Sequence, residues 1–384
     1  MSFTLQEEHR QIQSLVRRVA REKVAPRANA IDRAAEYPQD MFDLLRELGF
    51  FALPFPKTYG GSGSTLAASI VVEELARACY NTAYLLVVQW TPIGAVLASG
   101  TDAQQARYLP ELAAGRLRGA IALTEPQSGS DVAGMLTRAR RVPGGYRLSG
   151  SKIWCTGAPV ADFIFVGAKT GEEGRGSINL FIVEANAKGL EIGRKEDKLG
   201  ARGVPSCPLF FDDVFVPDEN RLGAEGKGFK AVMEMFNTAR PIHGARGVGL
   251  AQGAIDHATA FVQERRAFGQ TVAEFQGIRW MLADMAMQTE AARSLVYRAA
   301  AMVDEGVAGN ELAPFAAMAK CFASDVAMKV TTDAVQLFGA AGVSAEFPIN
   351  RYMRDAKVLQ IVEGTNQIQR NIIANALVGP AARR

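Results

Sequence analysis

Three segments hold the residue types from which chemistry can be built. In Arg354-Asp-Ala-Lys-Val-Leu-Gln-Ile-Val-Glu363-Gly364-Thr365-Asn366-Gln367-Ile-Gln369-Arg370, residues 358–362 are apolar apart from Gln360. Glu363 therefore stands at the end of a run that can desolvate it and raise its pKa toward that of a general base. Gly364 permits a turn, and Asn366 with Gln369 resembles a capping box, so the next helix would present free N–H groups near the carboxylate. A glutamate in this place could equally do no more than complement that helix dipole. In Ile121-Ala-Leu-Thr-Glu-Pro-Gln-Ser-Gly-Ser-Asp131 the hydroxyls of Thr124, Ser128 and Ser130 sit with Pro126 and Gly129. Such a loop can form the polar rim of a ligand site or a plain turn. In Gly150-Ser-Lys-Ile-Trp154-Cys155-Thr156-Gly157 an indole lies two positions from a hydroxyl, hence on one face of a strand, where a buried core tryptophan is the competing reading.

Common alternatives are missing. Gly247-Val-Gly249-Leu-Ala-Gln-Gly253 has one residue too many for a dinucleotide fingerprint and lies in helical sequence, where small residues serve close packing. There is no P-loop, no G-x-S-x-G elbow and no H-E-x-x-H. With three histidines in the chain, a general base is expected to be a carboxylate.

The elements that must position these groups follow from composition and pattern. The 384 residues, 48% hydrophobic and 22% charged, suffice for two or three packed units and exclude disorder, collagen and a disulfide mini-protein. A net charge of +3 points to neither nucleic acid nor an acidic membrane. Cysteines at 79, 155, 207 and 321 are dispersed without a C-x-x-C pair, so no metal site is expected and a reducing cytoplasm fits. The N-terminus is polar, and no run of roughly 18 apolar residues for a bilayer is evident, so neither secretion nor membrane insertion is expected.

Residues 1–115 read as helical. Thr4 with Glu7 suggests a capping box, Leu5, Ile12, Leu15, Val16 and Val19 an apolar face, and Arg17, Arg18, Arg21 and Lys23 a solvated one. Gly60, Gly61, Ser62, Gly63 and Ser64 break the pattern before it resumes over residues 66–99. Residues 116–228 are rich in β-branched and aromatic runs, and 229–384 return to helix. Helices, a sheet, then helices make a mainly α, α+β chain of three parts.

Together and in this order the segments resemble the acyl-CoA dehydrogenase family, most closely its medium- and short-chain members. The likeness runs from about residue 4 to 378. It rests on Leu-Thr-Glu-Pro-x-x-Gly-Ser-Asp at 123–131, Lys-x-Trp-x-Thr-Gly at 152–157, Phe-x-Asp-Val-x-Val-Pro at 211–217, Glu-Arg-Arg-Ala-Phe-Gly at 264–269, Gln336-Leu-Phe-Gly339-Ala-Ala-Gly342, and Ile-Val-Glu-Gly-Thr-Asn-Gln-Ile-Gln at 361–369. The resemblance implies an N-terminal helical domain, a middle β-barrel-like domain and a C-terminal four-helix-bundle domain, usually in a homotetramer, with FAD between the last two and across a subunit contact. It places Leu123 and Thr124 on the flavin ring, Trp154 beside it, Thr156 near N5, and Ser130 against cofactor phosphate and thioester. Arg265, Phe268, Gln276, Gln336, Gly339 and Ala340 would hold the adenosine diphosphate portion, with Thr365 and Gln367 completing that site. Arg240, with Asn237 and Gly364, would meet the thioester.

Glu363 matches the family's base, which removes the α-proton while its own backbone N–H and a flavin ribityl hydroxyl bind the thioester oxygen. The β-hydride goes to flavin N5, electrons pass to an electron-transfer flavoprotein, and a trans-2-enoyl thioester leaves, as in fatty-acid β-oxidation. Some relatives carry the base at the position matching Ala239, where alanine cannot serve. Val362 replaces a frequent Tyr, a smaller wall suited to a branched or bulkier acyl group. Gly157 replaces Asn, Cys155 an aliphatic residue, and Ala340 a glycine, adding a methyl where the backbone approaches FAD. Asn375 stands where medium-chain members carry an Arg near CoA. The alternatives on this scaffold are an acyl-CoA oxidase and a carrier-protein-linked acyl dehydrogenase; a non-catalytic helical assembly protein is the alternative of another class.

Overall fold

A computed structural model describes residues 5–171 and 177–380. Six helices come first: α1 (Glu7–Val19), joined through one π turn to α2 (Ala25–Ala34), then α3 (Gln39–Glu47), α4 (Thr65–Ala78), α5 (Tyr80–Ser99) and α6 (Asp102–Ala113). Thr4, expected to cap α1, lies outside the described residues, and Gln6 occupies the cap without a side-chain bond. Arg17 stays on the solvated face of α1 while reaching the buried Glu74 at 2.6 Å, and Leu15 is exposed while Val16 turns inward.

The strands are β1 (Gly119–Ala122), β2 (Arg138–Val142), β3 (Gly145–Thr156), β4 (Phe163–Lys169), β5 (Ile178–Glu184), β6 (Leu190–Ile192), β7 (Ser206–Pro217) and β8 (Arg221–Leu222). They form one sheet in the order β6-β7-β3-β2-β4-β5-β8, with β1 alongside β4 in parallel. Then follow α7 (Gly228–Glu264), a hairpin of β9 (Arg266–Ala267) and β10 (Gln270–Thr271), α8 (Gln276–Asp304), α9 (Gly309–Phe338), α10 (Ala340–Val343), α11 (Ile349–Leu359) and α12 (Asn366–Val378).

The helices on either side of the sheet in sequence share one hydrophobic core, running from Val16 and Phe42 through Leu86 and Val248 to Leu359. The sheet encloses a second, around Tyr146, Leu148, Ile164, Val166 and Val214. The junction of α4 with α7 shows how the helical layers meet. A Cβ on Gly249 would lie 2.3 Å from the Glu73 carbonyl oxygen, and one on Gly253 2.3 Å from that of Arg77. Backbones touch there, so the glycine run serves packing, as its spacing suggested. One sequence expectation needs amending. Tyr80–Ser99 is long and apolar enough to cross a bilayer, with mean hydropathy 1.3 over its best window, but 72% of that window is buried inside the protein, where its apolar side chains supply the shared core.

Candidate functional site

Glu363 lies in the turn between α11 and α12 with φ +58, a left-handed conformation that costs a non-glycine residue on the order of 1 kcal/mol. Trp154 (φ +59) and Phe268 (φ +52) share this conformation, so three of the six described non-glycine residues with positive φ are ones that the resemblance assigns to the site. The turn is held from several sides. Thr365 caps α12, its hydroxyl accepting from Ile368 N–H at 3.3 Å, one residue earlier than the expected Asn366–Gln369 box. The register shifts because Asn366 is buried and committed elsewhere: its side chain donates to Ser324 Oγ (2.8 Å) and Asp325 (2.7 Å) on α9. Gln369 donates to the carbonyls of Glu363 (3.2 Å) and Gly364 (2.9 Å). The Glu363 N–H donates to no acceptor among the described residues.

The carboxylate is 15% exposed and faces a basic wall. Burial raises its pKa, and Arg246, Lys320 and Arg240 pull it back. Arg240, His243 and Arg246 come from successive turns of α7, and Lys320 from α9. Arg240 donates to Asn237 at 2.7 Å while its buried Nε has no partner among the described residues, and its guanidinium lies 3.9 Å from where a Cβ on Gly364 would stand. Lys320 donates to Gly364 O and Asn366 Oδ1, both at 2.9 Å, and burial brings its pKa down to about 7. His243 Nε2 is 3.8 Å from Glu363 Oε1. Burial, aided by the Arg246, Lys320 and Arg240 charges, drives the imidazole pKa well below its usual value, so this contact joins a neutral ring to a carboxylate and is no ion pair.

The loop at 123–131 and the end of β3 form the second wall. Lys152 and Glu125, both buried, pair at 2.7 Å; Lys152 also donates to Leu123 O at 3.1 Å, and Ile153 N–H to Thr124 O at 2.9 Å. Glu125 further accepts from Leu136 N–H, Thr137 N–H and the Thr137 hydroxyl, and these bonds with the Lys152 charge outweigh burial and bring its pKa down to about 2. Ser128 is buried and bonded within its own loop, the plain-turn role, whereas Ser130 is exposed and Thr124 partly so. The β3–β7 register slips between Lys152 and Cys155, and Trp154, still within β3, has a side chain 52% exposed, which overturns the buried-core reading of that indole. Gly157 takes φ +84, a conformation asparagine also tolerates, so the exchange costs the backbone nothing.

Tyr84 on α5 links the two walls. The Arg246 guanidinium lies 4.2 Å from its ring centroid, and its phenol interacts with Thr156, whose Oγ1 is 3.0 Å from Ser206 Oγ. Trp154, Thr156, Glu363, Gly364 and Arg240 thus belong to one neighbourhood.

The remaining assigned residues do not join it within one chain. Phe261 and Phe338 stack at 4.2 Å, so Arg265 and Phe268 past α7 and Gln336, Gly339 and Ala340 around the end of α9 lie at one end of the bundle, all exposed. Arg265 is about 33 Å along α7 from His243 at roughly 1.5 Å per residue. Gln276 starts α8, also exposed, and Gln367 is exposed on the first turn of α12. His243, Arg246, Lys320 and Tyr84 belong to no motif in the sequence. Charges in otherwise small-residue or apolar helical stretches were the one available signal.

Comparison with known proteins gives consistent matches along the chain. Residues 6–116, 120–214 and 226–378 match, respectively, the N-terminal, middle and C-terminal domains of acyl-CoA dehydrogenases. A probable acyl-CoA dehydrogenase of Mycobacterium leprae (strain TN) is 42% identical over 378 residues, covering 98% of this chain and 97% of its own length. Butyryl-CoA dehydrogenase from Megasphaera elsdenii superposes with a TM-score of 0.94 at 39% identity, over 98% of this chain and 100% of that one. A chain from a structural study of the electron transferring flavoprotein of Acidaminococcus fermentans and flavin-based electron bifurcation gives 0.94 at 40%, over the same shares.

Proposed function

The chain belongs to the acyl-CoA dehydrogenase family, and on that premise we propose that it oxidises an acyl-CoA across its α,β bond with Glu363 as the base, yielding the trans-2-enoyl-CoA. The observation that carries this reading is the placement of Glu363: a largely buried carboxylate in a strained turn, with its own N–H unpaired beside it. Burial makes the carboxylate basic enough to take an α-proton, and the surrounding cations keep it ionised beforehand. The free N–H suits the thioester oxygen, where charge accumulates as the proton leaves. Arg240, with Asn237 as its anchor, orients the thioester from the opposite side.

The cofactor is FAD, which when bound supplies the acceptor for the β-hydride. The residues fit it. Trp154 offers a half-exposed indole beside the Thr156 hydroxyl and Thr124, and Phe268 stands 94% exposed on a hairpin tip next to Arg265. The long span of α7 between His243 and Arg265 supports a reading in which a second copy supplies the adenosine end, in a dimer at least and a homotetramer on our reading. Electrons leave to an electron-transfer flavoprotein, a partner suggested by the Acidaminococcus match. Cys155 and Cys207, opposed across β3 and β7 yet unbonded, suit a cytoplasmic setting.

The test is direct. The purified protein should carry flavin absorbance, and an anaerobic panel of acyl-CoAs differing in length and branching should contain one that bleaches it. Glu363→Gln should retain the flavin and lose the bleaching. Failure of every thioester, or full bleaching by Glu363→Gln, overturns the mechanism.

A further inference from the structure

Arg246 has the largest fully buried side chain among the described residues, and no carboxylate pairs with it there. Buried charges are ordinarily paired, so its surroundings call for a reason. The guanidinium donates to Tyr80 Oη at 2.9 Å, lies over the rings of Tyr80 and Tyr84 at 5.2 and 4.2 Å, and meets His243 Nδ1 through Nη2. Arginine has no acceptor and does not give up its proton in proteins, so Nδ1 must accept. The neutral ring then carries its hydrogen on Nε2. That atom is buried and has no hydrogen-bond partner among the described residues, and 3.8 Å away is Glu363 Oε1.

We propose that Arg246 and His243 are positioning residues for the base: Arg246 locks His243 as the Nε2–H tautomer, and that N–H closes onto Glu363 Oε1 when the thioester is seated. The inference rests on Glu363 being the base. A separation of 3.8 Å is too long for a hydrogen bond, but catalytic contacts are commonly loose before substrate binds. His243 passes no proton onward, because its other nitrogen is closed by a permanent cation. The α-proton stays on Glu363, and the imidazole acts as a fixed neutral donor that favours the carboxylate and selects which oxygen remains free. The other groups facing Glu363 are Arg240 on α7, Lys320 on α9, and the phenols of Tyr80 and Tyr84 on α5. Lys320 and Arg240 act on the carboxylate without His243, so their effects add to the relay, whereas that of Arg246 is partly transmitted through it.

The holoenzyme tests this with an acyl-CoA that bleaches the flavin, following the rate of bleaching against pH. In His243→Phe the acid limb, where activity is lost as Glu363 protonates, should move up by about one pH unit with flavin content unchanged. His243→Gln, which keeps a donor, should restore the wild-type limb. Arg246→Met should move it the same way, and the double variant by less than the sum. With three histidines in the chain, ring 15N spectra can follow His243 separately: a neutral Nε2–H ring throughout the acid limb is expected, whether or not His243→Phe folds. An unmoved limb in His243→Phe, a glutamine variant as shifted as the phenylalanine one, or an Nδ1–H or protonated ring overturns the proposal. An inactive Glu363→Gln alongside an unmoved His243→Phe limb refutes the relay alone; an active Glu363→Gln refutes the base itself.

Discussion

The ammonium of Lys320 donates to the carbonyl oxygen of Gly364 at 2.9 Å, and so ties the middle of α9 to the residue directly after Glu363. The same nitrogen holds Asn366, whose amide reaches Ser324 and Asp325, so the turn carrying the carboxylate is clamped to a long helix at three neighbouring points. Its lowered pKa is the cost of burying a cation there without a contacting acid.

Lys320→Met should therefore loosen the turn and remove a charge facing the proposed base, Glu363. The maximal bleaching rate should fall about tenfold to a hundredfold, the range expected when a reacting group is misplaced by an ångström, with flavin retained.

The same lysine makes a stability prediction. Its folded pKa of about 7, and those of about 8 for Lys152 and Lys198, lie below the unfolded value near 10.4. Between these limits the unfolded chain binds more protons, so these groups make stability rise with pH from about 7 toward 10. Chemical denaturation at pH 7, 8 and 9 should show that rise, and Lys320→Met should reduce it. A slope unchanged by the substitution would show that Lys320 is not the group titrating.

Gly364 has φ +87, and a Cβ there would stand 2.8 Å from Gln369 Nε2. Gly364→Ala should cost about 1 kcal/mol or more in stability, while the bleaching rate falls further than the small melting shift would suggest, because the displaced group carries the Glu363 carbonyl. Thermal melting and single-turnover rates on the same preparation separate the two effects.

Glu125 and Lys152 staple the 123–131 loop to β3 with no solvent access. Lys152→Met leaves the buried Glu125 carboxylate without its counter-cation, held only by the Leu136 and Thr137 donors, and should destabilise the protein by about 3 kcal/mol at neutral pH. The gap should narrow in acid. The folded carboxyl of the parent, with pKa about 2 against a usual value near 4.5, loses its stabilising effect as pH falls through that interval, whereas in the variant the carboxylate, deprived of its cation, takes up a proton sooner. Melting temperatures of the two proteins at pH 4 and pH 7 provide the comparison.

Phe268, 94% exposed at the β9–β10 tip, has its proposed role in a neighbouring subunit. Phe268→Ser should leave the fold of the single chain intact while lowering flavin content and the fraction of assembled protein. Light scattering and the absorbance ratio at 450 and 280 nm read both.

Much of the site was legible locally. An apolar run ending in Glu363-Gly364 signals a desolvated carboxylate at a turn because hydropathy and turn chemistry are properties of neighbouring residues. The cap of α12 is ambiguous by one residue for the same reason: Thr365 and Asn366 are both good capping residues, and the choice between them is made by Ser324 and Asp325, some forty positions earlier in the chain. Spacing could not settle whether Trp154 was core or surface, since the register slip that turns it outward arises from pairing with β7.

By itself, then, the amino-acid sequence determined the order of helical and sheet regions, the small-residue run that lets α7 pack closely, the family, and the carboxylate proposed as the base. The tertiary structure alone decided what that carboxylate meets. His243 and Arg246 lie on α7, Lys320 on α9 and Tyr84 on α5, far from Glu363 in the chain, and only the shared core of the helices brings them within a few ångströms of it. A proton affinity is set by burial and by charges close in space, and neither is a property of residues adjacent in sequence.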